Sequence, residues 1–339
     1  MKEHSIYTLG IETSCDDTAA SILFNNKVLS NVVSSQDIHK LYGGVVPELA
    51  SREHQKLITP VVNEAIIRSG IDKKQINSVA FTRGPGLLGS LLVGTSFAKS
   101  LSIGLDVPLI EINHMQAHIL SIFIESDQKP PNFPFLALTV SGGHTQLVIV
   151  KDYFQMEEIG RTLDDAAGEA FDKSGKVIGL DYPSGPIIDK LSKKGDPNAF
   201  KFTKPKVEGL NFSFSGLKTG FMNFIKKESL ANEDFIKNRL NDICASIQNT
   251  IIDILIEKIV SAVEITQIKD IVICGGVSAN SILRERITDI GKDNKWKIYF
   301  PEIHYSTDNA AMIGVAGYLK YKESIISDLS CSATARYKI

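Results

Sequence analysis

A pattern of two strands joined by a polar loop occurs twice in this chain, and the repetition restricts the possible folds more than any other feature. Residues 7–24 read as two strands around a polar turn, and residues 135–150 repeat the pattern roughly 130 positions later. Helical and extended patterns alternate elsewhere, and 339 residues with 43% apolar side chains are enough for two cores. We therefore expect an α/β fold built from two similar halves.

The clearest interruption of the periodic patterns is the proline-rich segment 129–134. It predicts a first domain of residues 1–130 and a second of residues 131–308, with a C-terminal helix in 309–339 that returns to the first domain. The second domain includes a basic and aromatic insertion, residues 193–218. Its lysines and phenylalanines suit a phosphate backbone with stacked bases, although a solvated lysine-rich loop beside core phenylalanines gives the same pattern.

Charge and cysteine usage restrict the location and the partners. The formal charge is −2, so an affinity for nucleic acid would need a local basic patch. The four cysteines have no paired spacing, which argues against a zinc ribbon or a disulfide framework. They are Cys15, Cys244, Cys274 and Cys331. Glu12 and Asp16 precede any apolar run long enough for a signal peptide, and no later run looks able to span a bilayer, so we expect a cytoplasmic protein without membrane contact.

A histidine pair suggests a metal site. His114 and His118 stand four residues apart in a stretch that reads as helix, so both imidazoles can face one ion. Two imidazoles leave a divalent cation under-coordinated, and Asp308, near the chain end, is the best candidate for a third ligand. A peptidase helix of the His-Glu-x-x-His type is an alternative, but Met115 holds the place of the glutamate base. Hydrogen-bonded interior histidines are another alternative.

Two glycine turns predict a site for a nucleotide. Residues 141–145 place Gly142 and Gly143 between two strands, where backbone N–H groups can approach an anion. Residues 275–280 follow a strand and precede a helix, which suits a ribose or an adenine at the helix start. The first loop alone is also ordinary hairpin chemistry. Together the two turns imply a nucleotide cleft.

Carboxylates near these loops are candidates for ribose binding and proton transfer. Asp172 and Asp189 are suited to binding ribose hydroxyls, whereas for Asp164 and Asp165 a solvated helix start is an equally good explanation. Glu12 and Asp16 lie in the polar loop of the first half, where either is a candidate general base. A turn-forming aspartate is the structural alternative for this loop.

Nine motifs occur in the order typical of one family. They comprise residues 10–18, 43–48, 84–87, 113–115, 140–145, 164–172, 214–218, 275–277 and 307–311. With these motifs the chain closely resembles the TsaD type of tRNA N6-adenosine threonylcarbamoyltransferase, a family once described as glycoproteases. The resemblance covers nearly the whole chain.

The resemblance implies a two-domain actin and Hsp70-like ATPase fold, with a duplicated core and a nucleotide cleft between the domains. It implies one divalent metal per subunit, iron or alternatively zinc, held by His114, His118 and Asp308. The residues implied to hold the adenylate are Thr139, Val140, Ser141, Gly142, Gly143, Asp172, Gly185, Asp189 and Asn280.

The implied reaction moves a threonylcarbamoyl group from threonylcarbamoyl-AMP to N6 of adenosine 37 in tRNAs that read codons beginning with A. It forms t6A and releases AMP. Because an exocyclic adenine amine is a poor nucleophile, we assign Glu12 or Asp16 as a catalytic base. The implied partners are tRNA, a smaller TsaB-type paralogue and a TsaE-type P-loop ATPase, with Val45, Val46 and Leu49 as candidates for the paralogue contact. A metallopeptidase and a non-catalytic Hsp70-like scaffold are the alternative functions.

Three positions depart from the pattern usual in the family. Ser184 stands where glycine commonly precedes Gly185, and Gly175 falls in a helix where alanine or a larger residue is usual. Ser306 occupies a position where cysteine often precedes Thr307. The side chain of Ser184 makes the ribose contact around Gly185 less certain, because it must be accommodated beside the ligand.

Overall fold

A computed structural model of the chain describes residues 5–339, except the side chain of Lys40. The chain forms two compact units, one of Met1–Pro130 with Pro301–Ile339 and the other of Pro131–Phe300. The expectation that no signal peptide precedes Glu12 also involves residues 1–4, which lie outside the described part. All four cysteines are free.

Strands and helices alternate along the chain, as the patterns predicted. The strands are β1 Tyr7–Glu12, β2 Asp17–Phe24, β3 Lys27–Ser35, β4 Ser78–Gly84, β5 Leu109–Asn113, β6 Phe135–Val140, β7 Thr145–Asp152, β8 Gln155–Arg161, β9 Asp270–Cys274 and β10 Lys297–Tyr299. The helices are α1 Pro47–Ser69, α2 Leu88–Leu105, α3 His114–Leu120, α4 Ala167–Val177, α5 Gly185–Ser192, α6 Ser215–Ala231, α7 Phe235–Thr266, α8 Ser281–Asn294 and α9 Ala310–Lys322.

The first unit is built on a mixed sheet with strand order β3-β2-β1-β4-β5 among the described residues. β1, β2 and β3 run antiparallel, whereas β4 and β5 run parallel to β1. Leu9 and Phe81 of the sheet and Ile58 of α1 belong to one buried apolar core. α9 packs against β1, β2 and β4. The packing is so close that a Cβ on Gly314 would overlap the side chain of Leu23.

The second unit repeats this topology, with strand order β10-β9-β6-β7-β8 in the part that the structure describes. β6, β7 and β8 run antiparallel, whereas β9 and β10 continue from β6 in parallel. β6 thus corresponds to β1, and β9 corresponds to β4. Leu138 and Ile273 of the sheet and Leu255 of α7 belong to its buried apolar core. The predicted duplication of the core is confirmed.

The phenylalanines of the insertion are part of the protein interior. Phe212 and Phe214 are fully buried, and Phe200 and Phe202 both contact the ring of Phe224 in α6 at centroid distances of 5.1 and 5.4 Å. Phe212 and Phe214 have no exposed face for stacking on bases, and Phe200 and Phe202 are half-buried against Phe224, so the structure favours the core explanation of this segment. Its exposed lysines are Lys193, Lys194, Lys201 and Lys206.

Helix α2 bears on the expectation that no segment could span a bilayer. It is the one helix in residues 5–339 that is long and apolar enough to do so, judged by length and composition alone. In the structure, 33% of this segment is buried. One such helix is weak evidence for a membrane span, because core helices meet the same test of length and composition. The glycine at position 94 of α2 has a packing reason. The helix approaches Thr13 so closely there that a Cβ on Gly94 would overlap the Thr13 side chain.

The C-terminal residues pack on the first unit. The N–H of Ser327 donates to the carbonyl of Leu109 at 2.8 Å, and the N–H of Thr334 donates to the carbonyl of Arg83 at 2.9 Å. Residues 301–308, which the sequence analysis assigned to the second domain, belong to the first unit. This brings Asp308 into the same unit as the histidine pair.

Candidate active site

The helix that carries the histidines begins directly after β5. Asn113 ends that strand, and its side-chain oxygen accepts hydrogen bonds from the N–H groups of Met115 at 2.9 Å and Gln116 at 3.2 Å. Its amide nitrogen donates to the carbonyls of Tyr337 at 3.2 Å and Lys338 at 3.0 Å. The start of α3 is thereby fixed both by an N-cap and by the C-terminal segment.

His114, His118 and Asp308 converge as predicted. Their ligand atoms all lie within 4.8 Å of one another. One carboxylate oxygen of Asp308 is 3.5 Å from Nε2 of His114 and 3.1 Å from Nε2 of His118. A tetrahedral ion with ligands at about 2.1 Å holds them roughly 3.4 Å apart, so these separations fit a single divalent cation.

The burial of the three ligands also fits a metal site. His118 is fully buried, His114 is 5% exposed, and the Asp308 side chain is 26% exposed, so the group opens to solvent on the aspartate side. Among the described residues, Nδ1 of His118 has no hydrogen-bond partner. The buried imidazole of His118 therefore makes its polar contact through Nε2, which lies 3.1 Å from the carboxylate of Asp308.

The charges of this group favour a bound cation. Burial alone raises the pKa of Asp308, but the His114 imidazole beside it holds that pKa well below its usual range. Burial alone lowers the pKa of His114, but the carboxylates of Glu12 and Asp308 raise it well above its usual value. The two carboxylates thus create a negative potential at His114, which a proton or a metal ion neutralises.

Glu12 lies at the end of β1, and hydrogen bonds occupy both of its carboxylate oxygens. It is 1% exposed. The N–H of Ser14 donates to one oxygen at 2.5 Å, and the hydroxyl of Thr82 donates to the other at 2.6 Å. Nδ1 of His114 lies 3.0 Å from that second oxygen. These bonds leave Glu12 poorly suited to take a proton from a substrate.

The neighbouring acidic residues are more accessible. Asp16 and Asp17 are both half-buried, in the loop after β1 and at the start of β2. Burial, together with the charges of Asp308 and Asp16, raises the pKa of Asp17 to about 6. Burial also raises the pKa of the Cys15 thiol, so this cysteine stays protonated.

The glycine loop between β6 and β7 lies at the surface of the second unit. A Cβ added at Gly142 or Gly143 would meet no heavy atom of the described structure within 4 Å, so both positions face open space. The N-terminus of α4 is packed on the other side of the loop, where the N–H of Gly168 donates to the carbonyl of Ser141 at 3.2 Å. An exposed glycine loop beside a helix N-terminus is suited to an anion.

The residues before the loop do not offer their side chains to a ligand. Thr139 and Val140 are fully buried at the end of β6, and the Thr139 hydroxyl lies 3.4 Å from the thiol of Cys274. Gly275 packs on the carbonyl of Val140, where a Cβ would come within 2.5 Å. Any contribution of Thr139 and Val140 to binding would come from the backbone.

The carboxylates of the second unit are fixed at helix starts. Asp172 accepts a hydrogen bond from the N–H of Ser184 at 2.7 Å and one from the N–H of Gly185, although burial keeps its pKa raised. Asp189 accepts the hydroxyl of Ser281 at 2.9 Å. Both carboxylates are half-buried, so each retains some surface for a ligand.

Asn280 belongs to a buried polar chain. Its oxygen caps α8 by accepting the N–H of Leu283 at 3.0 Å, and its amide nitrogen donates to Gln248 at 2.8 Å. Gln248 donates in turn to the hydroxyl of Ser192 at 2.7 Å. The chain of hydrogen bonds holds the Asn280 amide in one orientation.

Comparison with known proteins identifies the family. The family model "TsaD: tRNA N6-adenosine threonylcarbamoyltransferase" matches residues 27–315. The chain is 60% identical to the tRNA N6-adenosine threonylcarbamoyltransferase of Christiangramia forsetii over 339 residues, which is all of both chains. It is 58% identical to the enzyme of that name from Riemerella anatipestifer, covering 98% of this chain and 97% of the relative.

The chain belongs to the TsaD family. It is accordingly an acyltransferase that forms N6-threonylcarbamoyladenosine in tRNA. Among solved structures, it resembles component A of the (R)-2-hydroxyglutaryl-CoA dehydratase of Acidaminococcus fermentans with a TM-score of 0.54 and 15% identity, covering 94% of this chain and 100% of that one. This likeness and the repeated sheets show the actin and Hsp70-like ATPase fold.

TsaD membership decides between the alternative functions. A non-catalytic scaffold is wrong, because the full-length relatives are named as enzymes. The metallopeptidase alternative lacks its base, since Met115, which follows the first histidine, is 1% exposed and apolar.

Two departures from the usual TsaD pattern compensate each other. A Cβ on Gly175 of α4 would overlap the Cβ and the hydroxyl oxygen of Ser184, which is itself buried. Gly175 therefore makes the space that the Ser184 side chain fills. The backbone N–H of Ser184 still donates to Asp172, so the serine does not disturb this contact.

The hydrogen-bond partners of Glu12 and Asp164 could not be predicted from the sequence. Ser14 and Thr82 bind Glu12, and Asp164 accepts four hydrogen bonds at the start of α6, from the N–H groups of Phe214 and Ser215 and from two serine hydroxyls. Asp164 is thus a cap for α6 rather than the solvated start of α4. A carboxylate some 50 residues before the helix that it caps gives no local signal.

Proposed function

We propose that the donor is threonylcarbamoyl-AMP and that the acceptor is adenosine 37 of tRNAs that read codons beginning with A. The backbone N–H groups of Gly142 and Gly143 and the Ser141 hydroxyl would bind the phosphate. They belong to the exposed loop between β6 and β7, which lies next to the N-terminus of α4. Asp172 and Asp189 would bind the ribose hydroxyls. The same proposal assigns adenylate contacts to Thr139, Val140, Gly185 and Asn280.

We also propose that His114, His118 and Asp308 hold one iron ion, with zinc as the alternative. The convergence of these three ligands within 4.8 Å is the observation that supports the proposal most strongly. Two imidazoles and one carboxylate suit either ion. When bound, the cation would supply Lewis acid chemistry and neutralise negative charge on the donor.

Asp16 is proposed as the general base. The reaction forms a bond between N6 of adenosine and the carbamoyl carbon, breaks the bond from that carbon to the phosphate oxygen, and releases AMP. The amine must lose a proton as the new bond forms, and the half-buried Asp16 carboxylate would accept it. Glu12, the other candidate, has both oxygens occupied by hydrogen bonds.

The proposal includes a smaller TsaB-type paralogue and a TsaE-type P-loop ATPase as partners, in the cytoplasm. Val45, Val46 and Leu49 are half-buried around the start of α1, so each retains apolar surface for the paralogue. We further propose that the two compact units are the two domains of the actin-like fold.

The test is incubation of the purified protein with threonylcarbamoyl-AMP and unmodified tRNA, with and without the two partners, followed by mass spectrometry of the digested nucleosides. We expect t6A at position 37 and an equal amount of AMP. The His114→Ala variant should lose this activity, while His304→Ala should keep it, because His304 is an exposed histidine outside the metal group. Equal activity in both variants would exclude the proposed metal site.

The role of Asp16 has a separate test. Asp16→Asn should slow single-turnover transfer by about 10²- to 10⁴-fold, which is the usual contribution of a general base, while AMP binds as tightly as before. An unchanged transfer rate would exclude Asp16 as the base.

A further inference from the structure

The side chain of Glu12 contacts the ring nitrogen of His114 that does not face Asp308. Nδ1 of His114 lies 3.0 Å from the carboxylate of Glu12 and 3.2 Å from the hydroxyl of Ser14, whereas Nε2 of the same ring lies 3.5 Å from Asp308. The two ring nitrogens thus face different partners. A carboxylate without a proton only accepts hydrogen bonds, so the proton of this bond belongs to Nδ1.

Other residues hold Glu12 in place. The hydroxyl of Thr82 and the N–H of Ser14 both donate to its carboxylate, at 2.6 and 2.5 Å. Glu12 closes β1, and Thr82 lies in the neighbouring strand β4, so the carboxylate is attached to the rigid sheet. A carboxylate held in this way restricts the rotation of the His114 ring.

We propose that Glu12 is a positioning residue that keeps His114 in the Nδ1–H tautomer and directs its Nε2 lone pair to the metal. A histidine ligand oriented by a carboxylate binds a metal more tightly, and loss of such a partner typically weakens binding about 10- to 100-fold. The inference rests on the metal site of the proposed function. It gives Glu12 a role different from proton transfer to the substrate.

His118 offers an internal comparison. Its Nδ1 is buried without a hydrogen-bond partner among residues 5–339, while its Nε2 also faces Asp308. The two ligands therefore differ in support: Glu12 orients His114, and the packing around a fully buried ring orients His118. A change at Glu12 should affect His114 and leave His118 in place.

The test measures Zn²⁺ binding directly, by competition with a chromophoric chelator at neutral pH. Glu12→Gln keeps the size of the side chain but removes its charge. It also replaces the carboxylate that accepts hydrogen bonds from Ser14 and Thr82 with an amide. We expect Zn²⁺ affinity to fall by about 10- to 100-fold. The control is Ser78→Ala, which removes a buried hydroxyl bond to Thr8 between the same two strands, away from the metal group, and should leave Zn²⁺ affinity unchanged.

A second measurement needs no variant and remains decisive if Glu12→Gln fails to fold. In the Zn²⁺-loaded wild-type protein with ¹⁵N-labelled histidine, the His114 ring should show a protonated Nδ1, with its proton shifted downfield by the carboxylate, and a metal-bound Nε2. If Glu12→Gln folds, its spectrum adds a comparison: that proton should move upfield, while the His118 signals stay in place.

Three results would overturn the proposal. The first is Zn²⁺ binding of equal strength in the wild type and Glu12→Gln, and the second is His114 bound to the metal through Nδ1. The third is a wild-type protein that takes up no Zn²⁺, which would also remove the proposed metal site while leaving membership of the TsaD family intact.

Discussion

Gly175 and Ser184 should behave as one packing unit, and a double-mutant cycle measures this coupling. In Gly175→Ala the new methyl group would occupy the space of the Ser184 side chain, which is buried and donates a hydrogen bond to the carbonyl of Asp181 at 2.9 Å. Overpacking costs about 1–3 kcal/mol, and loss of that hydrogen bond costs about 1 kcal/mol. The better helix propensity of alanine returns about 1 kcal/mol. The variant should therefore lose about 1–3 kcal/mol.

The second and third arms of the cycle follow from the same space. Ser184→Gly removes the hydrogen bond and leaves a gap, which should cost about 1–2 kcal/mol. In the double variant the methyl group introduced at position 175 fills that gap, so the loss should be no more than about 1 kcal/mol. The free energies of unfolding would then differ from additivity by about 2 kcal/mol, which is within the range of residues in contact.

Urea unfolding followed by circular dichroism provides the assay, with Gly220→Ala as the control. Gly220 lies in α6, and a Cβ there meets no heavy atom of the described structure within 4 Å, so this variant should be as stable as the wild type or more stable by up to about 1 kcal/mol. Additive effects at Gly175 and Ser184, within about 0.5 kcal/mol, would refute the reasoning.

Three further predictions concern single residues. Gly168→Ala should weaken AMP binding in calorimetric titrations at least tenfold, because its Cβ would come within 2.5 Å of the carbonyl of Ser141; unchanged affinity would show that the glycine loop is not held by α4. Burial raises the pKa of Asp17 from 3.8 to about 6, so in the metal-free protein its contribution to stability is most favourable below pH 4 and is lost as the pH rises through 6. Asp17→Asn should thus add about 2 kcal/mol to the free energy of unfolding in EDTA at pH 7.5 and little at pH 4, and a pH-independent difference would contradict this. Asp164→Asn should cost about 1 kcal/mol at pH 7 in urea unfolding, because burial opposes ionisation but the hydrogen bonds at the start of α6 lower the pKa of Asp164; the loss should shrink as the pH falls below 4.

The elements with strong periodicity were predictable from the sequence. The apolar runs predict strands over 135–140 and 270–274, which are the bounds of β6 and β9. Helical spacing predicts helices over 46–68, 89–103 and 309–321, and α1, α2 and α9 differ from these ranges by one or two residues at each end. β3 and β8 were missed, because both are edge strands with mixed polar and apolar residues, and their pairing is fixed by the neighbouring strand rather than by local pattern.

Within the candidate site, sequence spacing predicted contacts along one helix, and the need for a third ligand pointed to the distant Asp308, which the resemblance also implied. His114 and His118 are one turn apart, so their proximity follows from helix geometry. The hydrogen bond from His114 to Glu12 joins residues 102 positions apart, and Thr82 reaches Glu12 across 70. These contacts depend on the order of β1, β4 and β5 in the sheet, for which the sequence contains no local signal.

The repeated topology places different side chains at the same position of the two sheets. The loop after β1, residues 13–16, and the loop after β6, residues 141–144, have the same length and the same place in their sheets. In the first unit the strand ends with the buried carboxylate of Glu12, which orients a histidine, whereas in the second unit it ends with Val140 and the loop exposes glycine N–H groups. Because the core of each sheet fixes its backbone, the two strand ends can carry different side chains without a change of fold: a carboxylate that contacts His114 in the first unit, and an exposed pair of glycines after Val140 in the second.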